Sequence, residues 1–345
     1  MDVRESIKNL IREALLSLGL ETPAEIHLER PANVEHGDWS TNVALALAKK
    51  AESNPRDLAG QLATTLESFP SDHVARLEVA GPGFLNFYLN KAWLYDVLLQ
   101  AVDAGSEDWA RLEEGANRKV IVEFVSANPT GPLHAGHGRG ACYGDSVARL
   151  LERSGYSVSR EFYVNDRGTQ MNLFAASLAA CVAGEDIPAD GYHGAYIKEW
   201  ATEIPEDEDP LDWGKKRALS SHKEVLSDLN IEFDSWFSET SMVDSGSIEK
   251  TLSMLEEASA SYEKDGAIWL KSTEYGDDKD RVLVKSDGEY TYLLPDVAYH
   301  LDKLVRAERL VNVWGADHHG YIPRMKAAIE SLGYEAERLE VEVTQ

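Results

Sequence analysis

The sequence is poor in cysteine. Its 345 residues include only Cys142 and Cys181, which lie far apart and belong to no CxxC pair or Cys/His cluster. Zinc sites need closely spaced cysteines, and disulfide scaffolds need many of them. The pattern argues against both, so we expect two reduced, structural thiols and no resident metal ion.

Long apolar runs are also missing. No run approaches the ~20 residues that a transmembrane helix needs. The first segment, MDVRESIKNLIREALLSLGL, is amphipathic and contains acidic residues, unlike a secretory signal. We therefore expect a soluble, cytoplasmic protein without a membrane partner, and the length favours two or three folded units.

Positive charge is scarce: 34 basic residues face 60 acidic ones, giving a formal net charge of -26. Nucleic-acid-binding proteins normally carry an excess of Lys and Arg. The acidity is uneven, however, because residues 111–170 hold eight basic and seven acidic side chains. We interpret acidic runs such as EIPEDEDPLD as solvated faces, with adaptation to salt as the open alternative.

The chain divides into two predicted domains. Residues 1–112 mix helical periodicity with short strand-like runs, which predicts a small α+β domain, and the polar segment SEDWARLEEGANRK that spans this boundary is the predicted linker. Residues 113–345 begin with the buried strand KVIVEFVSA, a turn, a helix that starts at or near His134, and the strand SVSREFYVND. This order predicts a parallel sheet. Residues from about 184 to 265 are acidic and helical, and we expect them to be an insertion between two halves of that sheet.

The stretch SANPTGPLHAGHGRG joins the first strand of the second domain to its helix. It contains neither the GxxxxGK[ST] of a P-loop nor the GxGxxG of a dinucleotide fold. A glycine-rich helix N-terminus offers unpaired N–H groups to phosphate and lets a ligand approach closely. His134 and His137 lie one helical turn apart and can face the same ligand. The stretch favours a polyphosphate site, the alternative being capping and surface histidines.

Several stretches together resemble one family. NPTGPLHAGHGRG after VIVEF resembles the HIGH motif of class I aminoacyl-tRNA synthetases. HGDWSTNVALALAKK, VAGPGFLNFYL, FYVNDRGTQM, YLLPDVAYHLDK and VWGADHHGYIPRMKAAIESLGY are similar to arginyl-tRNA synthetases in particular, and the matches cover essentially the whole chain. The resemblance implies a Rossmann-like parallel-sheet catalytic domain with a helical insertion. It also implies activation of L-arginine with ATP and Mg²⁺ and transfer to tRNA(Arg), with tRNA generally needed for the activation step.

The resemblance also implies roles for residues of the nucleotide site. His134 and His137 would be the catalytic groups that stabilise the pentavalent α-phosphate, and Gly136 would make room for the nucleotide. The implied ATP-binding residues are His134, Gly136, His137, Gly315, Asp317 and His318. Which of Asp317, His318 and His319 contacts a ligand stays open. GADHHG is also the kind of cluster that binds metal in DHH-type phosphoesterases, but the sequence lacks the further Asp/His clusters that such a site needs.

A guanidinium is best recognised by carboxylates in a fixed, partly buried arrangement. Glu123 interrupts an apolar strand, with a tolerated edge position as the alternative, and Asp296 follows Pro295 near the start of a predicted helix, where an N-cap is the alternative. The arginine-binding residues that the resemblance implies are Glu123, Asn128, Tyr292 and Asp296. A site of this kind would reject other amino acids without editing.

Phe84 and Asn86 match family positions that contact the tRNA D-loop, which suits stacking and base-edge contacts; a half-buried strand is the alternative. No KMSK-type loop or helical anticodon-binding domain is found, so we expect a truncated chain with weakened activity. We also expect the chain to be a monomer. Two other interpretations stay open: a class I synthetase for another amino acid, and a non-catalytic tRNA-binding fragment.

Overall fold

The computed structural model describes residues 3–344, without the side chains of Glu107 and Asp317. The chain folds into two compact units that divide between Ala110 and Arg111, two residues before the predicted boundary. Each unit has its own apolar core.

The N-terminal unit packs helices on a three-stranded antiparallel sheet of order β1-β3-β2. Its elements are α1 (Val3–Ser17), β1 (Trp39–Thr41), α2 (Val43–Leu47), α3 (Pro55–Glu67), β2 (Val74–Ala80), β3 (Phe84–Leu89) and α4 (Ala92–Asp108). Helix α3 shows why the sequence folds this way. The Asn54 side chain caps it by accepting from the Arg56 N–H, Pro55 occupies the first turn, and Leu58 and Leu62 are buried at helical spacing.

The C-terminal unit is built on a five-stranded parallel sheet of order β11-β10-β4-β5-β6. Its elements are β4 (Lys119–Glu123), α5 (Ala135–Arg153), β5 (Ser157–Val164), α6 (Thr169–Ala183), α7 (Ala195–Ala201), α8 (Pro210–Asp228), β6 (Ser235–Ser238), α9 (Glu239–Asp244), α10 (Ser247–Glu257), β7 (Ser261–Lys264), β8 (Ala267–Leu270), β9 (Arg281–Val284), α11 (Leu293–Arg306), β10 (Arg309–Gly315), α12 (Ile322–Ser331) and β11 (Leu339–Thr344). The predicted parallel α/β fold is confirmed.

Strand order locates the place where a ligand can enter. From β4 the chain proceeds to β5 and β6 on one side, and β10 and β11 lie on the other side. The sheet therefore has a topological switch point between β4 and β10. Crevices outside the carboxyl ends of parallel strands at such points are the usual ligand sites of open α/β sheets.

The acidic segment from about 184 to 265 differs from the predicted insertion. It contains α7, α8, α9 and α10 but also β6, which pairs in parallel with β5 and forms an edge of the main sheet. Its last part enters a separate antiparallel sheet of β7, β8 and β9, which extends to Val284. The sequence did not reveal β6 because its four residues, SWFS, are too few to show the alternation of apolar and polar side chains that marks a strand.

Candidate functional site

The turn after β4 begins in a strained backbone conformation. Val125 and Ser126 have φ values of 67° and 43°, in the left-handed region that non-glycine residues, and β-branched ones above all, rarely adopt. The Ser126 hydroxyl donates to Glu123 Oε1 at 3.0 Å and accepts from the Tyr163 N–H at 3.2 Å. These contacts fix the turn between the first strand and the helix that carries the two histidines.

His134 and His137 cap α5 reciprocally. The Nδ1 atom of His134 accepts from the Gly136 N–H at 3.1 Å, and the Nδ1 atom of His137 accepts from the His134 N–H at 3.2 Å. The two rings stack with centroids 3.8 Å apart. The helix start predicted at or near His134 is confirmed. The two histidines cap the helix, as the alternative interpretation had it, and their stacked rings also face the same way, as predicted.

Capping also fixes the tautomer of both rings. An Nδ1 atom that accepts a backbone N–H must hold a lone pair, so a neutral ring carries its proton on Nε2. Burial lowers the pKa of His137, and the neighbouring His134 and His222 lower it further. The pair therefore offers two Nε2–H donors, which are the groups that stabilise charge developing on a phosphate oxygen.

These histidines line a cavity of about 430 Å³. A Cβ atom at Gly136 would lie 3.0 Å from Cε1 of the His134 ring, so a side chain there would press on that ring. Asn128 lines the same cavity and donates a hydrogen bond to Gln170. The remaining lining residues are Val125, Ser126, Ala127, Thr130, Gly131, Pro132, Tyr192, Tyr196 and His222.

A second cavity of about 220 Å³ adjoins the first, because Val125 and Ser126 line both. It holds the two predicted carboxylates, Glu123 and Asp296, together with Tyr163, Tyr299, His300, Val313, Trp314, Gly315, His318 and Tyr321. Its position at the ends of β4 and β10 is the switch point of the sheet.

Glu123 lies on the central strand, so the alternative of an edge position is wrong. It faces Asn312 on β10 and Glu161 on β5 in the sheet register. Its side chain is buried and pairs with the fully buried Lys303, whose Nζ donates to Glu123 Oε2 at 2.6 Å. One predicted carboxylate therefore already has a cation beside it.

Asp296 lies inside the first turn of α11, where it forms no N-cap. The residue at the N-cap position is Tyr292, which makes no side-chain capping bond, and Asp296 Oδ2 instead accepts from the Tyr321 hydroxyl at 2.7 Å. Burial, together with the nearby charges of Glu123 and Glu239 and against the Tyr321 hydrogen bond, raises the pKa of Asp296 to about 7. Asp296 is thus poised to gain a cationic partner.

A continuous chain of polar contacts connects the two carboxyl-bearing residues. His300 Nδ1 donates to the Asp296 carbonyl at 2.8 Å, and its Nε2 accepts from the Asn312 amide at 2.9 Å. The Asn312 side-chain oxygen accepts from Lys303 Nζ at 2.9 Å, and Lys303 reaches Glu123. Since all three linking side chains are buried, the separation of Glu123 and Asp296 is set before any ligand binds.

The structure does not bring every predicted residue to these cavities. Tyr292 is 88% exposed and is not among the residues that line the carboxylate cavity. Gly315 and His318 line that cavity rather than the histidine cavity. The side chain of Asp317 lies outside the described residues.

In the N-terminal unit, Phe84 begins β3 and is partly exposed. Asn86 is only 3% exposed, and its side-chain oxygen accepts from the Ser40 hydroxyl at 2.8 Å. At 3% exposure, Asn86 offers little surface to an RNA. The alternating pattern of the strand did not reveal this burial.

Sequence reasoning missed several side chains of the site. The buried faces of α11 and β10 carry three polar residues, Lys303, His300 and Asn312. Polar residues at positions where the sequence pattern predicts apolar ones were the signal that could have identified them. Tyr196 and His222 come from the acidic segment, where nothing in the local sequence marked them.

Two features of the described residues bear on other functions. Among the described side chains, which exclude those of Glu107 and Asp317, no three His, Cys, Asp or Glu residues group in a way that could hold a metal ion. Between residues 3 and 344, the helices are all too short or too polar to cross a membrane.

The parallel sheet with its switch point and the histidine pair at the helix start define a class I aminoacyl-tRNA synthetase catalytic fold. The profile described as "tRNA synthetases class I (R), catalytic domain" matches residues 100–189 and 205–345, and the profile "Arginyl tRNA synthetase N terminal domain" matches residues 5–89. The chain belongs to the arginyl-tRNA synthetase family.

Curated relatives agree with this assignment. The chain is 45% identical to arginine–tRNA ligase 1 of Halalkalibacterium halodurans, with 100% of the chain and 66% of the relative aligned. It is 46% identical to the arginine–tRNA ligase of Bacillus licheniformis, with 99% and 66% aligned. The chain thus spans 66% of the length of these relatives. The Thermus thermophilus arginyl-tRNA synthetase structure shares the fold, with a TM-score of 0.66 at 22% identity over 99% of this chain and 65% of that one.

Proposed function

We propose that this chain binds L-arginine and ATP and catalyses the formation of arginyl-adenylate, the first half of arginine transfer to tRNA(Arg). The observation that carries the proposal is the adjacency of the two cavities, one with two fixed imidazole donors and one with two buried carboxylates, which share Val125 and Ser126. The arginine carboxylate would attack the α-phosphorus, and the bond to pyrophosphate would break.

The carboxylate cavity suits a guanidinium. Lys303 already neutralises Glu123, so the side chain of the substrate adds its positive charge beside Asp296, whose carboxylate has only the Tyr321 hydroxyl as a described hydrogen-bond donor. Asp296 would thereby pair with the substrate, and Glu123 would accept further N–H groups. A neutral side chain of similar shape would leave Asp296 without a cationic partner and would lose the charge-assisted hydrogen bonds that a guanidinium makes, which favours arginine.

The histidine cavity suits the triphosphate. His134 and His137 would donate through Nε2 to phosphate oxygens, and the N-terminus of α5 would add unpaired N–H groups and its dipole. Mg²⁺ would arrive coordinated by the phosphates of the nucleotide. Asn128 would hold the amino-acid end of the substrate near this cavity.

The second half of the reaction would place the terminal adenosine of tRNA(Arg) against the adenylate, with its hydroxyl attacking the arginyl carbonyl and AMP leaving. Phe84 in the N-terminal unit is a partly exposed aromatic residue that would stack on an RNA base. We further propose that the protein works in the cytoplasm and is a monomer. Size-exclusion chromatography with light scattering tests the monomeric state.

Calorimetric titration with L-arginine and with citrulline tests the proposal. Citrulline has nearly the same shape but no charge, so we expect binding of arginine and at least tenfold weaker binding of citrulline, about 1.4 kcal/mol. Asp296→Asn should abolish the preference, whereas Glu330→Gln, a change of an exposed carboxylate on α12, should leave it intact.

Equal affinity for arginine and citrulline in the presence of ATP and tRNA would contradict the proposal. Binding of a different amino acid would identify a synthetase of another specificity, and tRNA binding without ATP binding would identify a non-catalytic RNA-binding protein.

A further inference from the structure

Two helices of the acidic segment hold the turn that carries the histidine pair. The hydroxyl of Tyr196, on α7, donates to the Thr130 carbonyl at 2.8 Å. Nε2 of His222, on α8, lies 2.7 Å from the carbonyl oxygen of Gly131. Two consecutive backbone carbonyls are thus each held by a side chain from a different helix, 66 and 91 residues further along the chain.

His222 makes this contact at a cost. It is 1% exposed, and its Nδ1 atom is buried with no hydrogen-bond partner among the described residues. A carbonyl oxygen can only accept, so the proton of the neutral ring must lie on Nε2. A buried polar atom without a partner is unfavourable, and an apolar side chain of similar size would avoid it. The compensating contact in the structure is the hydrogen bond to Gly131.

Gly131 is shaped for the contact with α7. A Cβ atom there would lie 2.7 Å from the Tyr196 hydroxyl oxygen, closer than real Cβ contacts come. A side chain at this position would push Tyr196 away from the turn. The glycine therefore permits the close approach of α7, and both prolines of the turn, Pro129 and Pro132, restrict its backbone further.

The turn leads directly into the nucleotide site. Gly131 lies three residues before His134, the residue that caps α5, and Tyr196, His222, His134 and His137 all line the same cavity. A displacement of the turn would move the cap, and with it the two Nε2–H donors, relative to the cavity. Geometry errors of this kind are costly for groups that must meet a developing charge.

We propose that Tyr196 and His222 are positioning residues that clamp residues 129–133 and so orient the His134–His137 pair for the triphosphate. The effect of this clamp on ATP binding rests on the proposed function, because it requires that the two histidines bind ATP. It gives the acidic segment a role in the catalytic site that neither its composition nor its charge indicated.

The test compares Tyr196→Phe, His222→Leu and His222→Gln with the unchanged chain. Tyr262→Phe is the matched control, because it also removes one tyrosine hydrogen bond, to Asp280 at 3.0 Å, but in the antiparallel sheet of β7 to β9. Calorimetry measures the Kd for Mg-ATP and for arginine. Hydrogen–deuterium exchange of the peptide covering residues 126–140 is measured without ligand.

We expect Tyr196→Phe and His222→Leu each to raise the ATP Kd about 3- to 10-fold, the effect of losing one net hydrogen bond, and to speed exchange in the turn. His222→Gln, whose amide can still donate to Gly131, should restore most of the affinity. Arginine affinity should stay within about twofold of the unchanged chain, because the carboxylate cavity keeps its own network.

Three results would overturn the clamp: unchanged exchange in the turn, unchanged ATP affinity in both variants, or an equal loss of arginine affinity, which would indicate general loosening. If the chain without any substitution fails to bind ATP, the proposed function is refuted instead. The hydrogen–deuterium exchange of residues 126–140 would then still decide whether the clamp exists.

Discussion

The arginine affinity of this chain should depend on pH through Asp296. In the empty cavity, burial raises the pKa of this carboxyl to about 7. A bound guanidinium would lower it far below that value, because the opposite charge favours the ionised form. Arginine binding would therefore release a proton whenever the pH lies below about 7.

The magnitude follows from this one equilibrium. Above pH 8 the carboxyl is ionised and the Kd should be constant. At pH 6 only about a tenth of the molecules are ionised, so the Kd should rise about 11-fold, and by pH 5 about 100-fold. The charged groups of arginine do not titrate between pH 5 and 8, which leaves the protein as the source of the change.

Titration calorimetry between pH 5.5 and 8.5, in buffers of different ionisation enthalpy, measures both the affinity and the protons released. Asp296→Asn provides the comparison and should bind arginine weakly at every pH. A Kd that stays constant between pH 6 and 8 would refute the assignment of Asp296 as the carboxylate that meets the guanidinium.

The same pKa has a consequence for stability. Folding raises the pKa of Asp296 from 3.8 to about 7, so the stability that its bound proton contributes is complete below pH 4 and is lost as the pH rises through 7. This difference corresponds to at most about 4 kcal/mol. Asp296→Asn cannot ionise and should therefore be more thermostable than the unchanged chain at pH 8, with little difference at pH 4.

Two further predictions concern stability. A Cβ atom at Gly144 would lie 2.3 Å from Cγ of Phe124, so Gly144→Ala should destabilise the fold by about 1–3 kcal/mol. A Cβ atom at Gly138, on the same helix, would meet nothing within 4 Å, so Gly138→Ala should stabilise the fold by about 0.5–1 kcal/mol. Urea unfolding measures both free energies, and equal effects would contradict the packing argument. Lys303→Met leaves Glu123 buried without its cation and should lower the free energy of unfolding by about 3–5 kcal/mol. The double variant Lys303→Met, Glu123→Gln should recover more than half of this loss. Additive losses in the double-mutant cycle would show that the pair is not coupled.

Local signals explain what could be predicted around the first strand. KVIVE is apolar enough to be buried on both faces, and the structure places it at the centre of the sheet. The start of α5 at His134 could be predicted because glycines and a turn precede a long helical pattern. Such features depend on neighbours within a few residues, which a sequence displays directly.

Contacts between distant residues could not be predicted in this way. The pair of Glu123 with Lys303 joins residues 180 positions apart, and no local pattern encodes it. The hydrogen bond from Tyr321 shows that Asp296 faces the cavity rather than capping its helix. Tyr292, which the family resemblance placed in the pocket, is exposed in the folded unit.

The sequence by itself determined the family, the parallel sheet and the identity of the two histidines, because these follow from motifs and periodicities that short segments carry. Only the tertiary structure decided how the site is assembled. Burial sets the pKa of Asp296, a buried lysine sets the charge around Glu123, and two helices from the acidic segment fix the turn before His134. Each of these effects depends on which surfaces exclude water and which distant groups meet, and folding alone brings that about.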